Sequence, residues 1–218
     1  MDAVIRPRRL AWLTLTWIAL TGALGPCALF KPADPEAPTG TALVGDYSQY
    51  DSTLATMRRA VEAKGALNSR QLYVDALATE ADAPGAAFRA LFDELTRSRY
   101  LSQGGVNVPA SWLRPQEETF LDDLIANNQG SEYRMTWERY PAGGEETLGE
   151  TQVRIFRRYA VFIVQPSTGA SQPYLEGWAA LRLVRSGTRW VVTEWDDREL
   201  PAPSPNTKSF GLVRLESQ

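Results

Sequence analysis

The hydrophobic pattern of this chain changes its period close to Gly130, and that change limits the folds open to it. Before Gly130, apolar residues recur every three to four positions, as on one face of an α-helix. After it, apolar and polar residues alternate, as on a half-buried β-strand. Helices that precede the strands, instead of alternating with them, predict an α+β fold. In such a fold the helices pack on one face of a curved antiparallel sheet.

Four segments carry the helical period. The clearest is RPQEETFLDDLIANN, residues 114–128, where Pro115 suits the first turn and Phe120, Leu121 and Leu124 form one stripe. The other predicted helices lie within residues 50–66, 69–81 and 83–101.

Five segments carry the alternating period, and turn residues such as Gly143-Gly144 and Gly187 separate them. They predict an antiparallel meander of about five strands. The predicted strands are SEYRMTWERY (131–140), TQVRIFRRYAVFIVQ (151–165), YLEGWAALRLVR (174–185), RWVVTEWDDRE (189–199) and SFGLVRL (209–215).

Composition removes several kinds of functional site. The chain has no histidine and a single cysteine, Cys27. These counts exclude histidine-dependent nucleophile pairs, two-histidine zinc sites, iron–sulfur clusters and an internal disulfide. No cofactor, metal or catalytic residue is therefore predicted. A net charge of −3 without a long basic run disfavours nucleic-acid binding.

The first 48 residues are predicted to form a membrane tether. A basic tail, residues 1–9, precedes an uncharged apolar run, residues 10–30, which as a helix at ~1.5 Å per residue is long enough for a bilayer core. Cations before the run predict a cytoplasmic tail and export of everything that follows. A proline-rich linker, 31–48, then leads to the exported domain, 49–218.

Three interpretations of the apolar run remain open. As an uncleaved signal anchor, it has Pro26 near its outer end, where a kink is tolerated. As a lipoprotein signal, LGPC resembles a bacterial lipobox with Cys27 as the lipidated residue, although Pro26 stands where Gly, Ala or Ser is expected. Ordinary cleavage after Gly25 would place Pro26 directly behind the cut, which is unfavourable. The first two interpretations tether the domain to the cell membrane on its periplasmic side.

The segment ALRLVRSGTRWVVTEWDDRE, residues 180–199, and the helices-then-meander order resemble the nuclear transport factor two-like superfamily, which includes ketosteroid isomerase. The late hairpin of that family often carries a Gly, then Trp-x-x-x-x-Trp-x-Asp. The matching residues here are Gly187, Trp190, Trp195 and Asp197. The resemblance covers residues 49–218. It implies a sheet wrapped around the helices as a cone, whose mouth is a ligand pocket in some members, while others are assembly modules without a pocket.

An isomerase of that kind needs a carboxylate base and hydrogen-bond donors such as a tyrosine, but no histidine. Tyr159 and the acidic residues near Trp195 offer such groups. Strict alternation predicts that Glu194 and Asp196 share one face of their strand with Trp190 and Val192, and that Asp197 lies on the other. Charges at a strand end are more often solvated or paired with a nearby arginine such as Arg198, so a non-catalytic role is predicted.

The strand within residues 153–164 is apolar on both faces, which a sheet covered on one face does not require. The second face is predicted to meet a protein partner, since aromatic and arginine residues are favoured at interfaces. The alternative is that another part of the chain folds over it. The candidate contact residues are Phe156, Phe162, Trp178 and Arg182.

These observations predict a non-catalytic, membrane-tethered binding module that serves as an accessory or assembly subunit of a larger envelope complex. The alternative is a small-ligand-binding or isomerase-like pocket protein of the same fold. The two differ in their expected structure. A pocket protein should hold a desolvated carboxylate of raised pKa in a deep cavity. A binding subunit should have a filled cone and an exposed apolar patch.

Overall fold

A curved mixed sheet with helices packed on its concave face forms the domain. The computed structural model describes residues 42–126, 130–140 and 146–218, without the side chains of residues 146–149. The predicted basic tail, the apolar run with Cys27 and most of the predicted linker lie outside the described residues. Within the described ranges, no helix is both long enough and apolar enough to cross a bilayer.

The described residues form five helices and seven strands. The helices are α1 (Tyr50–Glu62), α2 (Ser69–Asp75), α3 (Glu94–Ser102), α4 (Arg114–Ala126) and α5 (Phe210–Glu216). The strands are β1 (Arg89–Phe92), β2 (Trp112–Leu113), β3 (Glu132–Arg139), β4 (Glu146–Gly149), β5 (Gln152–Val164), β6 (Ser171–Ser186) and β7 (Arg189–Arg198). The strand order is β2-β1-β7-β6-β5-β3, with β4 beside β5. The predicted α+β class is confirmed.

Two segments differ in secondary structure from the prediction. Residues 83–101, predicted as one helix, contain β1 followed by most of α3, where the Asp93 carboxylate accepts a hydrogen bond from the Thr96 N–H. SFGLVRL, predicted as a strand, forms α5, where the Ser209 hydroxyl oxygen accepts from the Leu212 N–H. In segments this short an apolar pattern does not separate helix from strand, and the capping residue marks where the helix begins.

The sheet is mixed instead of purely antiparallel, because β1 runs parallel to β7. Four of the five predicted strands, β3, β5, β6 and β7, form an antiparallel meander as predicted.

A β-bulge in β7 reverses the predicted facing of its acidic residues. Leu183 pairs with Val192 while Arg182 pairs with Glu194, so Thr193 is the extra residue. Because the bulge shifts the alternation by one position, Asp197 faces the concave side of the sheet together with Val192. The prediction that Asp197 lies opposite Val192 was wrong.

The helix α5 fills the inside of the cone. Four of its side chains have almost no solvent exposure, namely Phe210, Leu212, Arg214 and Leu215. A helix covered on nearly all sides lies within a core and not on its surface. The core of this domain is therefore completed by the last helix of the chain.

Residues 43–48, the end of the predicted linker, are hydrogen bonded to the domain. Leu43 and Asn68 exchange two hydrogen bonds of 2.8 Å, and the Trp190 N–H donates to the Tyr47 carbonyl at 2.7 Å. The packed region therefore extends to Leu43.

Glu176 fixes the connection from β7 to α5 onto the sheet. Its carboxylate accepts hydrogen bonds from Arg158 Nη2 and from the Ser204 N–H, the latter at 3.0 Å. Its own N–H donates to the Lys208 carbonyl at 2.8 Å. Burial acts to raise the pKa of Glu176, but the hydrogen bonds from Arg158 and Ser204 outweigh it, and the pKa lies below the ordinary 4.5.

Glu176→Gln is expected to loosen this connection at neutral pH and to have less effect in acid. A carboxyl group whose pKa is lowered by folding stabilises the fold above its unfolded pKa, and the stabilisation is lost as the pH falls through the folded value. The difference between wild type and variant should therefore shrink below pH 4.5. Amide hydrogen exchange at Ser204, followed across this range, measures it. A difference that does not change with pH would contradict the role given to the carboxylate.

Candidate functional site

A fully buried ion pair lies inside the cone. Arg214 donates from Nε to Glu117 Oε2 and from Nη2 to Glu117 Oε1, both at 2.7 Å, and neither side chain has any solvent exposure. The Tyr73 hydroxyl also donates to Oε1, at 2.8 Å. Since these residues belong to α5, α4 and α2, one carboxylate joins three helices.

Aromatic rings surround the guanidinium of Arg214. Its Cζ lies 4.6 Å from the ring centre of Trp195 and 5.5 Å from those of Phe120 and Phe210. Burial disfavours the charge, but the Glu117 carboxylate outweighs it and raises the pKa of Arg214. Burial and the same carboxylate raise the pKa of Tyr73, which keeps its proton for the hydrogen bond to Glu117.

Beside the ion pair, Asp197 accepts three hydrogen bonds. Oδ1 accepts from the Tyr159 hydroxyl at 2.8 Å and from the Trp195 indole N–H at 3.1 Å, and Oδ2 accepts from the Gly211 N–H at 2.6 Å. Burial raises the pKa of Asp197, while Arg214 and the three donors act in the opposite direction. Burial and Asp197 raise the pKa of Tyr159 well above its ordinary value.

A desolvated carboxyl group beside a tyrosine is the arrangement that isomerase chemistry uses. Here, however, both oxygens of Asp197 bond to groups of the same chain, and its side chain is completely buried. The Phe210 N–H donates a hydrogen bond to the Tyr159 hydroxyl oxygen at 2.8 Å, so this hydroxyl group is also engaged within the chain. These contacts can hold α5 in place, but they leave no position on Asp197 or Tyr159 open to a substrate.

The described part of the chain has no candidate metal site. No three acidic or cysteine side chains are grouped there so as to hold an ion.

The convex face of the sheet carries the second candidate site, an outer-face cluster formed by Tyr140, Phe156, Trp178 and Arg198. The rings of Tyr140 and Trp178 stack with centres 4.9 Å apart and an interplanar angle of 4°. Phe156 lies 6.4 Å from Trp178, and the Arg198 guanidinium lies 4.8 Å from its ring centre. All four side chains are partly exposed.

The structure brings together two of the four predicted contact residues, Phe156 and Trp178. Arg182 lies on the same face, opposite Arg154 on β5, and lines a small cavity of about 100 Å³ with Arg89 and Glu194. Phe162 pairs with Pro173 near the far end of β5, about 20 Å along the strand from Phe156. Phe162 is therefore separate from the outer-face cluster.

Sequence reasoning missed Tyr140 and Arg198. Tyr140 continues the alternation of Arg134, Thr136 and Glu138, so the sequence pattern could have predicted that Tyr140 lies on the same face as these residues. Arg198 is predicted only as an ion-pair partner, and its Nη2 does lie 2.7 Å from Asp196 Oδ2. Its second role, against the Trp178 ring, depends on the register between β6 and β7, in which Arg198 lies opposite Trp178.

The charges around the outer-face cluster are largely paired within the chain. Arg158 pairs with Glu176, Arg198 with Asp196, and Arg89 with Glu194 at 2.6 Å. These three carboxylates therefore have partners within the chain, and the face presents aromatic rings and arginines together with the exposed Glu138.

No family model matches this chain, and no curated protein matches it. Solved structures with a similar chain course include a protein of the nuclear transport factor two-like family from Streptomyces avermitilis, at 11% identity and a TM-score of 0.49, covering 71% of this chain and 95% of that one. ActVI-ORFA from Streptomyces coelicolor has 11% identity and a TM-score of 0.48, with coverages of 67% and 90%. A subunit proposed to be the beta subunit of an aromatic-ring-hydroxylating dioxygenase from Novosphingobium aromaticivorans has 12% identity and a TM-score of 0.48, with coverages of 75% and 96%. At these values the likenesses assign no function.

Proposed function

We propose that this domain is a non-catalytic binding module, a membrane-tethered accessory or assembly subunit of a larger envelope complex. The observation that carries the proposal is the filled cone. The helix α5 occupies the space where a ligand would bind, and its Gly211 N–H donates to the carboxylate that would serve as a base. Binding at an outer surface needs no such space.

The outer-face cluster supports an interface on the convex side of the sheet. Tryptophan, tyrosine and arginine are the residues that most often carry the binding energy of protein interfaces. The parallel stack of Tyr140 on Trp178 is already formed in the free chain. A preformed contact surface loses less conformational entropy on association, so it needs fewer contacts to reach a given affinity.

The tether supports the same role. An anchor within residues 10–30, or a lipid on Cys27, would confine the domain to one membrane surface on its exported side. Confinement raises the effective concentration of a membrane-bound partner, so one modest interface suffices.

Trp178→Ala is expected to weaken capture of the partner complex about 30-fold or more, as for a central interface residue whose truncation costs ~2 kcal/mol. The matched control is Phe162→Ala, which also removes a partly exposed ring from this face but at the far end of β5. Affinity purification of the full-length chain from its own membranes, with quantitative mass spectrometry of the co-purifying proteins, measures both. Equal losses in the two variants, or none in Trp178→Ala, would contradict an interface centred on this cluster.

The tether itself is tested by native mass spectrometry of the chain extracted in mild detergent. A full-length chain in a stoichiometric complex is the result expected for a signal anchor. A chain that begins at a diacylated Cys27 would identify a lipoprotein. A chain that begins at Pro26 or later and carries no lipid would contradict the tether.

One observation favours the second candidate function, an internal ligand pocket. Asp197 has the raised pKa and the tyrosine neighbour that such a pocket requires. This function requires α5 to leave the cone. Slow exchange of the Gly211 and Leu212 amides, with the protection of the most stable core strands, would exclude opening short of global unfolding.

A further inference from the structure

The small cavity of about 100 Å³ on the convex face lies where β7 meets the loop before β1. It is lined by loop residues 85–87 and by Arg89, Arg182, Thr193 and Glu194. Arg182 lies four residues along β6 from Trp178, which is about 13 Å at the rise of a strand, so the cavity is separate from the outer-face cluster. One water takes up ~30 Å³ in the liquid, so the cavity has room for a few waters or one small ligand.

Arg182 is a partly buried cation without a counter-ion. Its side chain forms no ion pair and donates no hydrogen bond within the described part of the chain. The carboxylate opposite it on β7, Glu194, pairs with Arg89 instead. The residue opposite it on β5 is Arg154, another cation. Because a charge that is withdrawn from water depends on a counter-charge, an anion from outside the chain would complete this site.

The donors at this cavity are open to a ligand. The Nε atom of Arg182 is buried, but its two Nη atoms, which also lack a partner, are not. The side chain of Arg89 is 53% exposed, and it uses Nε and Nη2 for Glu194 and leaves Nη1 free. The planar fork of a guanidinium group matches the oxygens of a carboxylate or a phosphate. Three nitrogen atoms are therefore available to an oxyanion.

Glu194 adds an acceptor to the same cavity. Both hydrogen bonds from Arg89 end on its Oε2 atom, at 3.0 and 2.6 Å, so Oε1 is unoccupied. The side chain is 14% exposed, and Oε1 is not buried. An ionised carboxylate accepts a hydrogen bond from a ligand hydroxyl group, but it repels an oxyanion that has no hydrogen to donate.

The bulge at Thr193 shapes this cavity. Thr193 is the extra residue of β7, and both Thr193 and its neighbour Glu194 belong to the lining. The Thr193 hydroxyl donates to the Arg182 carbonyl at 3.2 Å, which holds the bulge against β6. Bulges are frequent beside functional sites, where they redirect side chains.

We propose that this cavity binds a small free oxyanion that carries a hydroxyl hydrogen, the class to which hydrogen phosphate belongs. The Nη atoms of Arg182 and the Nη1 atom of Arg89 would donate to its oxygens. Its hydroxyl group would donate to Glu194 Oε1. This site depends neither on the membrane tether nor on a protein partner, so it stands apart from the binding-module function.

Inorganic phosphate and sulfate test the site in the full-length chain. Both are tetrahedral oxyanions of similar size, but at neutral pH phosphate keeps at least one hydroxyl hydrogen and sulfate has none. Each is titrated beside sodium chloride of the same ionic strength, while the backbone amide signals of Ala87 and Thr193 are followed by NMR. Saturable shifts are expected with phosphate. Sulfate should bind about tenfold more weakly, and chloride should give no saturable shift.

Three variants locate the binding. Arg182→Gln removes the unpaired guanidinium group and should weaken phosphate about tenfold or more, the effect of a charge-assisted hydrogen bond. Arg154→Gln is the matched control, because it makes the same change in charge directly opposite on β5 but outside the lining. At an ionic strength that screens distant charges, it should retain binding within about twofold. Glu194→Gln should strengthen sulfate and so narrow its difference from phosphate. A thermal melt of each variant confirms folding.

Three results would overturn the proposal. One is a set of phosphate shifts that do not saturate, or that sodium chloride reproduces. Another is an equal loss of binding in Arg182→Gln and Arg154→Gln, which would mean a general effect of charge on this face. The third is equal affinity for phosphate and sulfate, which would mean that no hydroxyl hydrogen is bound by Glu194.

Discussion

Arg214→Met is expected to lower the free energy of unfolding by about 3–5 kcal/mol. The substitution keeps most of the side-chain volume but removes both 2.7 Å hydrogen bonds to Glu117. Glu117 then remains buried with Tyr73 as its one remaining hydrogen-bond donor among the described residues. Leaving a carboxylate buried without its counter-charge costs far more than the loss of an exposed ion pair. Urea denaturation at neutral pH, followed by tryptophan fluorescence, measures the loss.

A double variant separates the charge effect from the packing effect. Glu117→Leu combined with Arg214→Met, in a Tyr73→Phe background so that no hydroxyl group is stranded, should recover most of the lost stability. Replacement of a whole buried ion pair by apolar side chains is often neutral or stabilising. If the combined variant is as unstable as the sum of its single substitutions, the two side chains do not act as a pair.

Gly177→Ala is expected to destabilise the domain by about 3 kcal/mol, through overpacking and a broken hydrogen bond. A Cβ atom at this position would overlap the Tyr159 hydroxyl and approach the Arg198 carbonyl oxygen to 2.9 Å. The backbone of β7 cannot give way easily, so Tyr159 must move. Its movement would break the 2.8 Å hydrogen bond to Asp197 and the bond that it accepts from Phe210.

Tyr159→Phe provides the control for this second prediction. The single variant loses the hydroxyl and is itself destabilised. In combination with Gly177→Ala it should cost less than the sum of the two, because the hydroxyl hydrogen bonds that Gly177→Ala breaks are already absent, although the ring carbon Cζ, 2.6 Å from the added Cβ, must still shift. The two single variants and the double variant are compared by urea denaturation. A Gly177→Ala variant within ~0.5 kcal/mol of wild type, the range of an ordinary surface change, would show that the site is looser than described.

The outer face was the part most accessible to sequence reasoning. Alternation along β5 and β6 fixes the facing of Phe156 and Trp178, and it holds because both strands are long and regular where these residues lie. Alternation failed at Thr193, because a bulge depends on the pairing of two strands and leaves no signal in one of them. The same bulge placed Asp197 in the core, where its hydrogen-bond partners could not be predicted.

The filled cone could not be predicted, because it depends on α5. SFGLVRL alternates like a strand, and the one sign against this was Ser209, which caps the helix. From the local pattern alone, Arg214 in this segment would be predicted to be solvent-exposed. Only the partner Glu117, 97 positions earlier, makes burial of Arg214 possible, and no periodicity connects residues that far apart.

The position of α5 has a consequence for how the domain is made. The contact between Arg214 and Glu117 joins two helices that lie 97 positions apart along the chain, so closure of the loop that contains β3 to β7 precedes completion of the interior. A nascent chain whose α5 is still inside the ribosome has no Arg214 to pair with the Glu117 carboxylate and no helix to fill the cone. Such a chain cannot reach the native state. Folding is therefore postponed until synthesis of the domain is nearly complete. For the exported domain proposed above, this delay would keep the chain unfolded while it crosses the membrane. Chains truncated before Leu215 should be degraded and not accumulate as partly folded forms.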